Sequence, residues 1–326
     1  ELARKCSPLY IYEVYMGYRL GNYHIIAGDD SGNTITEVAV SGNGLIVGKD
    51  NKLHGTANVI VGTGNEMTLG SGSDYNLIVG VGNDVLSTGC DRNLVAGFAH
   101  NVSGSDNSMF FGGNQTGAGR YTTFMGSGNT DVNETAEYCI MAGRGNSTTA
   151  SSMYTHYIGF SGTAANGYYQ FITGIDASGN MGGARTHSSG KFSAKGDAQT
   201  SYALFGCQTT DHTQSTMRTM NDFENLSPKV ALNQSVMFKI DIVARRTSTQ
   251  TESAAYEIIG CIKNDAGTTA LQGTITKNVI AEADSNWDVT AVANNTDDTL
   301  DIKVTGAAGK NINWLAKVTY IATIGA

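Results

Sequence analysis

Asn58-Val59-Ile60-Val61-Gly62 is followed, eighteen residues on, by Asn76-Leu77-Ile78-Val79-Gly80. The pattern, three mostly apolar residues and then a glycine, recurs eight times, anchored at Gly48, Gly62, Gly80, Gly97, Gly112, Gly126, Gly143 and Gly159. The anchors stand 14, 18, 17, 15, 14, 17 and 16 residues apart. A period near sixteen is too short for a helix pair or a propeller blade, and suits one thin coil of a parallel β-solenoid. Ile25-Ile26-Ala27-Gly28 reads as an early, irregular copy.

A second signature follows several anchors: Gly64-Asn65, Gly82-Asn83, Gly113-Asn114, Gly128-Asn129 and Gly145-Asn146. Glycine and asparagine tolerate the left-handed backbone, so these pairs mark sharp corners. Weaker apolar sites come next, as at Met67, Val85 and Val102. Each coil is thus a strong strand, a corner, a weak strand and a return.

Side chains alternate across a strand. If the outer two residues of each apolar triplet fill the coil, the central ones face outward: Ile46, Ile60, Ile78, Val95, Phe110, Phe124, Met141 and Tyr157. Strands that are apolar on both faces are buried on both. That central row is therefore expected to be a trimer interface, three-fold packing being the natural way to hide one stripe per chain and two-fold packing the alternative the pattern leaves open.

Composition narrows the function classes. The chain has 326 residues, 41 of them glycine and only two proline, which favours tight turns over a disordered linker. Its net charge of −8 disfavours non-specific binding to nucleic acid or an anionic membrane. No apolar run is long enough for a transmembrane helix. The start, Glu1-Leu2-Ala3-Arg4-Lys5, reads as a truncated or processed piece. The five cysteines, Cys6, Cys90, Cys139, Cys207 and Cys261, form no C-x-x-C and are expected to be free, mostly buried thiols. No cofactor or resident metal is expected. Among the six histidines His156, standing in a strand, is the best candidate for an ion on a three-fold axis, and a plain packed or solvated histidine is its ordinary reading.

The organisation expected is an N-terminal segment over 1–24, a rod over 25–162, a neck over 163–195 and a tip over 196–326. Tyr10, Tyr12, Tyr15 and Tyr18 lie in the first, which reads as a short helix or strand opening the rod. In the last, Ile312, Trp314, Ala316, Val318 and Tyr320 alternate onto one face, and turns such as Asn264-Asp265-Ala266-Gly267 separate the strands, as in an antiparallel sandwich.

Two resemblances add to this. The Asn-led repeats at Asn58 and Asn76 resemble the head repeats of trimeric autotransporter adhesins, although Ser108, Thr122, Cys139 and Thr155 stand where later Asn residues would. That resemblance implies a left-handed parallel β-roll packed as a trimer. Residues 196–320 are similar to the C-terminal domain of many bacteriophage tail fibres, through Val243-Ala244-Arg245-Arg246-Thr247, Asn264-Asp265-Ala266-Gly267-Thr268, Trp287-Asp288-Val289 and Ile312-Asn313-Trp314-Leu315-Ala316. It implies a trimeric β-sandwich tip at the receptor-facing end of a fibre. The whole is expected to be an all-β homotrimer: a β-roll followed by a C-terminal antiparallel β-sandwich.

The function this implies is an extracellular fibre-tip adhesin, on a phage tail or a bacterial surface fibre, binding a bacterial surface glycan or outer-membrane component. A tailspike-type polysaccharide depolymerase and a structural spacer are the alternatives. Glycoside hydrolysis needs two carboxyls at a set separation, and the rod's Asp74, Asp84, Asp91, Asp106 and Asp131 sit mostly at corners, where Asp caps turns. No nucleophile elbow occurs, so the expectation is a non-enzyme. Candidate receptor contacts are Trp287, beside a turn between Asn286 and Asp288, and the group Arg245, Arg246 and Glu252 around the loop 247–252, which could clamp an anionic glycan. Tyr202, Tyr256, Trp314 and Tyr320 are further aromatics, with core packing the ordinary reading where they share an apolar face.

Overall fold

The computed structural model describes residues 24–27, 33–36 and, from 44 to 325, all but 56, 68–73, 87–89, 118, 132–136, 149–151, 165–166, 180, 221–225 and 250. Residues 1–20, read as the opening of the rod, lie outside the described residues. The described chain is all β.

The repeats form a solenoid. Their strong strands stack in parallel and in register, so that Ile46, Ile60, Ile78 and Val95 are successive partners, as are Gly48, Gly62, Gly80 and Gly97. His24–Ala27 pairs ahead of them as the early copy. The stacking continues past Gly162 into the expected neck: Phe171–Ile175 and Arg185–Ser189 add two further parallel strands. Their apolar content is lower, which is why the triplet pattern fades there while the backbone pairing does not. A second sheet of ten short strands, such as Glu66–Met67 and Asp84–Val85, closes the other side of each coil.

The orientation of the strong strands is the reverse of the expectation. The central residues Ile46, Ile60, Ile78, Val95, Phe110, Phe124, Met141 and Tyr157 are buried inside a single chain, 2% exposed or less. They meet Leu53, Met67, Val85 and Val102 from the short strands in one continuous core. They are therefore not a trimer interface. The outward residues are their neighbours in the triplet, among them Leu77, Val79, Met109, Met125 and Ile158, and these are exposed.

The physical reason lies two residues upstream. Asn58 and Ile60 share a face, as do Asn76 and Ile78, and the asparagines have to be inside. Asn76 donates to Asn58 Oδ1 at 3.1 Å and to the Cys90 carbonyl at 2.7 Å, while the Asn93 backbone N–H donates to Asn76 Oδ1 at 2.9 Å. Such amide ladders bond from coil to coil and satisfy buried backbone groups. Ser108 and Thr122 continue this ladder with hydroxyls, joined at 3.1 Å. A second ladder runs through Asn51, Asn65 and Asn83. Each ladder residue follows a left-handed corner residue: Gly64 and Gly82 on one side, Tyr75 and Arg92 on the other. At Gly113-Asn114 the expected corner is displaced by one, with Asn114 taking the left-handed turn and Gln115 the ladder position.

The anchoring glycine has its own cause. A Cβ on Gly62, whose φ is +134°, would collide with the carbonyl oxygen of Gly80 in the next coil. Inside the coil, bulk is traded across the two sheets. Phe110 and Phe124 stack at 4.9 Å where the short strand supplies Gly117, and a Cβ there would strike both rings.

The C-terminal region continues the same long sheet. Arg185–Ser189 pairs antiparallel with Ala198–Thr209, which pairs with Ile312–Ile324, then Gln234–Arg246, then Ser253–Asp265. Thr276–Glu282 and Thr268–Leu271 pair with the last of these. A three-stranded sheet, containing Asp288–Asn294 and Thr299–Thr305, shares its core. That core includes Phe205, Phe238, Ile240, Tyr256, Leu300, Ile302, Trp314 and Val318. Asp197 locks the junction of the two regions. Its carboxylate accepts the backbone N–H groups of Phe192, Ser193 and Ala194 at 2.6–2.9 Å. Burial opposes ionisation there, yet these donors hold the carboxyl below its usual value.

Candidate functional site

The residues singled out in the sequence as receptor contacts are not brought together as a site. Trp287 is 2% exposed, and its ring lies 5.8 Å from that of Trp314 in the core. It is a packing residue: the turn beside it carries the chain inward, and its indole follows. Arg246 pairs with Glu252 at 3.2 Å, and Lys310 bridges Glu252 at 2.7 Å and Asp284 at 2.6 Å. Lys310 holds the Asp284 carboxyl down at about 2 and also lowers that of Glu252. These charges are committed to one another. Arg245 points to the opposite face, beside Asn313.

The carboxylates of the rod are likewise engaged. Asp91 caps the backbone N–H of Asp74 at 2.7 Å, and Asp106 caps that of Asp91 at 3.0 Å, as turn chemistry predicts. Glu66 and Asp84 are neighbours on adjacent coils, and burial followed by repulsion from Glu66 raises the Asp84 carboxyl. However, Lys52 holds Glu66 at 2.9 Å, and both side chains are in part exposed. Among the described residues no cluster of His, Cys, Asp and Glu could hold a metal ion. His156 is exposed, its ring edge-on to Phe171 at 6.5 Å. Cys90, Cys139, Cys207 and Cys261 are free thiols, and burial pushes that of Cys139 up to about 12.

One corner of the rod carries an aromatic ladder that the repeat pattern does not announce. Tyr121, Tyr138, Tyr154 and Tyr169 all take left-handed backbone conformations and stack at 4.8–4.9 Å with nearly parallel planes. Their ring faces cover one another, so the ladder offers edges and hydroxyls to solvent rather than a stacking platform.

A cavity of about 190 Å³ does open on the outer face of the long sheet, where the solenoid meets the C-terminal region. It is lined by Phe171, Thr173, Arg185, Thr186, His187, Thr200 and Tyr202. Strand register explains the gathering. Phe171, Arg185 and Tyr202 are cross-strand partners in one row, and Thr173, His187 and Thr200 in the next. Alternation along Arg185–Ser189 turns Arg185 and His187 outward and buries Thr186 and Ser188. The guanidinium of Arg185 rests 5.7 Å from the centroid of the Phe171 ring, and the Lys317 ammonium 5.3 Å from that of Tyr202. Thr173 Oγ1 lies 2.9 Å from His187 Nδ1. Of these residues the sequence singles out only Tyr202, as one of several aromatics. The Arg-Thr-His alternation was the available signal, but the row it joins is set by strand pairing that sequence does not display.

No family model matches the chain, and no curated protein does. Among solved structures, the tailspike protein of Acinetobacter baumannii phage AM24 is similar over 94% of this chain and 79% of that one, at 10% identity and a TM-score of 0.24. The tailspike protein of Acinetobacter phage vB_ApiP_P1 is similar over 87% of this chain and 67% of that one, at 9% identity and a TM-score of 0.19. The likeness is slight, and no ligand, assembly or reaction is carried over from it. Neither structure is a trimeric autotransporter, so the head-repeat resemblance gains no support. One expectation is corrected: both neighbours are tailspikes, the class set out above as the enzymatic alternative, and the non-enzyme reading is withdrawn.

Proposed function

We propose that the chain is a component of a phage tail spike, which assembles with two sister copies and degrades the bacterial surface polysaccharide it grips. The observation that carries this is the outer face of the long sheet. Leu77, Val79, Met109, Met125, Ile158 and Phe160 are exposed there although the coil beneath already has a complete core. A lone soluble chain has no use for so long an apolar face. The tail-fibre resemblance of residues 196–320 supports the setting, and a trimer with a sandwich tip is the form it implies. Within one chain, Asp91 and Asp106 cap backbone N–H groups, Glu66 joins Lys52 and Asp131 accepts the Thr148 hydroxyl inside the coil, so hydrolytic groups would be completed between copies.

The test is to incubate the protein with a panel of purified capsular polysaccharides and lipopolysaccharides. Binding together with new reducing ends or unsaturated sugars is the expected result. Binding without cleavage returns the adhesin, and neither binding nor cleavage of any polymer leaves a spacer and ends this reading.

A further inference from the structure

We propose that the cavity at the end of the solenoid is a subsite for a carboxylated sugar, so that the polymer engaged is an acidic polysaccharide. The inference rests on the reading above and names its substrate class. The outer face, apolar on the coils before and on the C-terminal strands beyond, is interrupted here by polar residues. Thr173 and His187 follow Ile158 in one row, Arg185 follows Phe171 in the next, Thr200 pairs with His187, and the position is cationic on a chain whose net charge is −8.

Each wall has a matching role. Arg185 is steadied by the Phe171 ring, which leaves its N–H groups free to fork onto a carboxylate. Thr173 Oγ1 lies 3.4 Å from the Thr186 carbonyl and 2.9 Å from His187 Nδ1, and the direction of the second contact follows the imidazole tautomer. In either tautomer Nε2 is left to bond a sugar hydroxyl, as acceptor or as donor. Thr200 Oγ1 gives its proton to the Tyr320 carbonyl at 2.8 Å and is left an acceptor. Phe171 and Tyr202 supply the apolar walls. At about 190 Å³ the space is smaller than the roughly 300–1,000 Å³ of drug-sized sites, and suits a single ring.

The experiment is calorimetric titration of the full, assembled chain with three probes: oligogalacturonate, oligomannuronate and oligosialate, each beside its carboxyl-reduced counterpart. At least one carboxylated probe is expected to bind, with affinity at least about ten-fold above its neutral counterpart. Arg185→Gln should lose that preference while keeping native mass and circular dichroism, and Arg185→Lys should retain part of it. If Arg185→Gln fails to fold, Arg185→Lys and His187→Ala carry the comparison. Equal binding of reduced and carboxylated probes, no binding of any carboxylated probe, or folded Arg185 variants with unchanged preference would overturn the proposal. A neutral polysaccharide that is gripped and cut would sink this inference while leaving the tail-spike function standing.

Discussion

His100 shows how strictly the coil interior is specified. It stands in the ladder position held by Asn65 and Asn83 in the preceding coils, and its Nδ1 is buried without a hydrogen bond. Burial holds its pKa below the usual 6.5, against the pull of the Ala96 and Gly112 carbonyls. A folded pKa below the unfolded one means that the stabilisation is complete above pH 6.5 and declines as the pH falls beneath it. His100→Asn should restore the amide ladder, raising stability by about 1 kcal/mol and flattening that acid-side decline. Urea midpoints at pH 7.5 and 5.5 measure both. Gly62→Ala tests the neighbouring constraint. With φ at +134° and the Gly80 carbonyl in the way, it should cost more than about 2 kcal/mol. A midpoint within error of the parent would show that coils do not approach as closely as described.

At the scale of the strand, the two faces of each triplet separate folding from assembly. Ile78→Lys places a charge in the sealed core and should cost about 3–5 kcal/mol, or prevent folding. Val79→Lys stands on the outer face and should leave the single chain's fold intact, within about 0.5 kcal/mol, while weakening association. Circular dichroism with sedimentation on each variant distinguishes the two effects, and the opposite assignment of effects would restore the outward reading of the central row. The existence, length and stacking of the strands were legible because the glycine period reports the coil directly. The choice of face was not read correctly, although Asn58 and Ile60 share parity, because apolar side chains alone fit either face. Only the hydrogen-bonding need of the asparagine breaks the tie. The cavity was less legible still, since Arg185 and Tyr202 are seventeen residues apart and meet only through the junction pairing.

For the molecule as a whole, one long sheet runs from the solenoid into the C-terminal region, and its outer face carries exposed apolar side chains along both. Leu204, Met237, Leu315 and Ile321 continue the exposure seen at Leu77 and Val79. Elsewhere on the solenoid, the short-strand sheet presents Glu66, Asp84, Asn101, Thr116 and Ser147, which suit water. The asymmetry is the argument for sister copies on one side only. Mass in solution, by multi-angle light scattering on the dilute full chain, bears on it most directly. A mass of about 103 kDa, three times the 34.3 kDa chain, is the predicted result. A stable, folded species of 34.3 kDa that persists at low concentration would contradict the account.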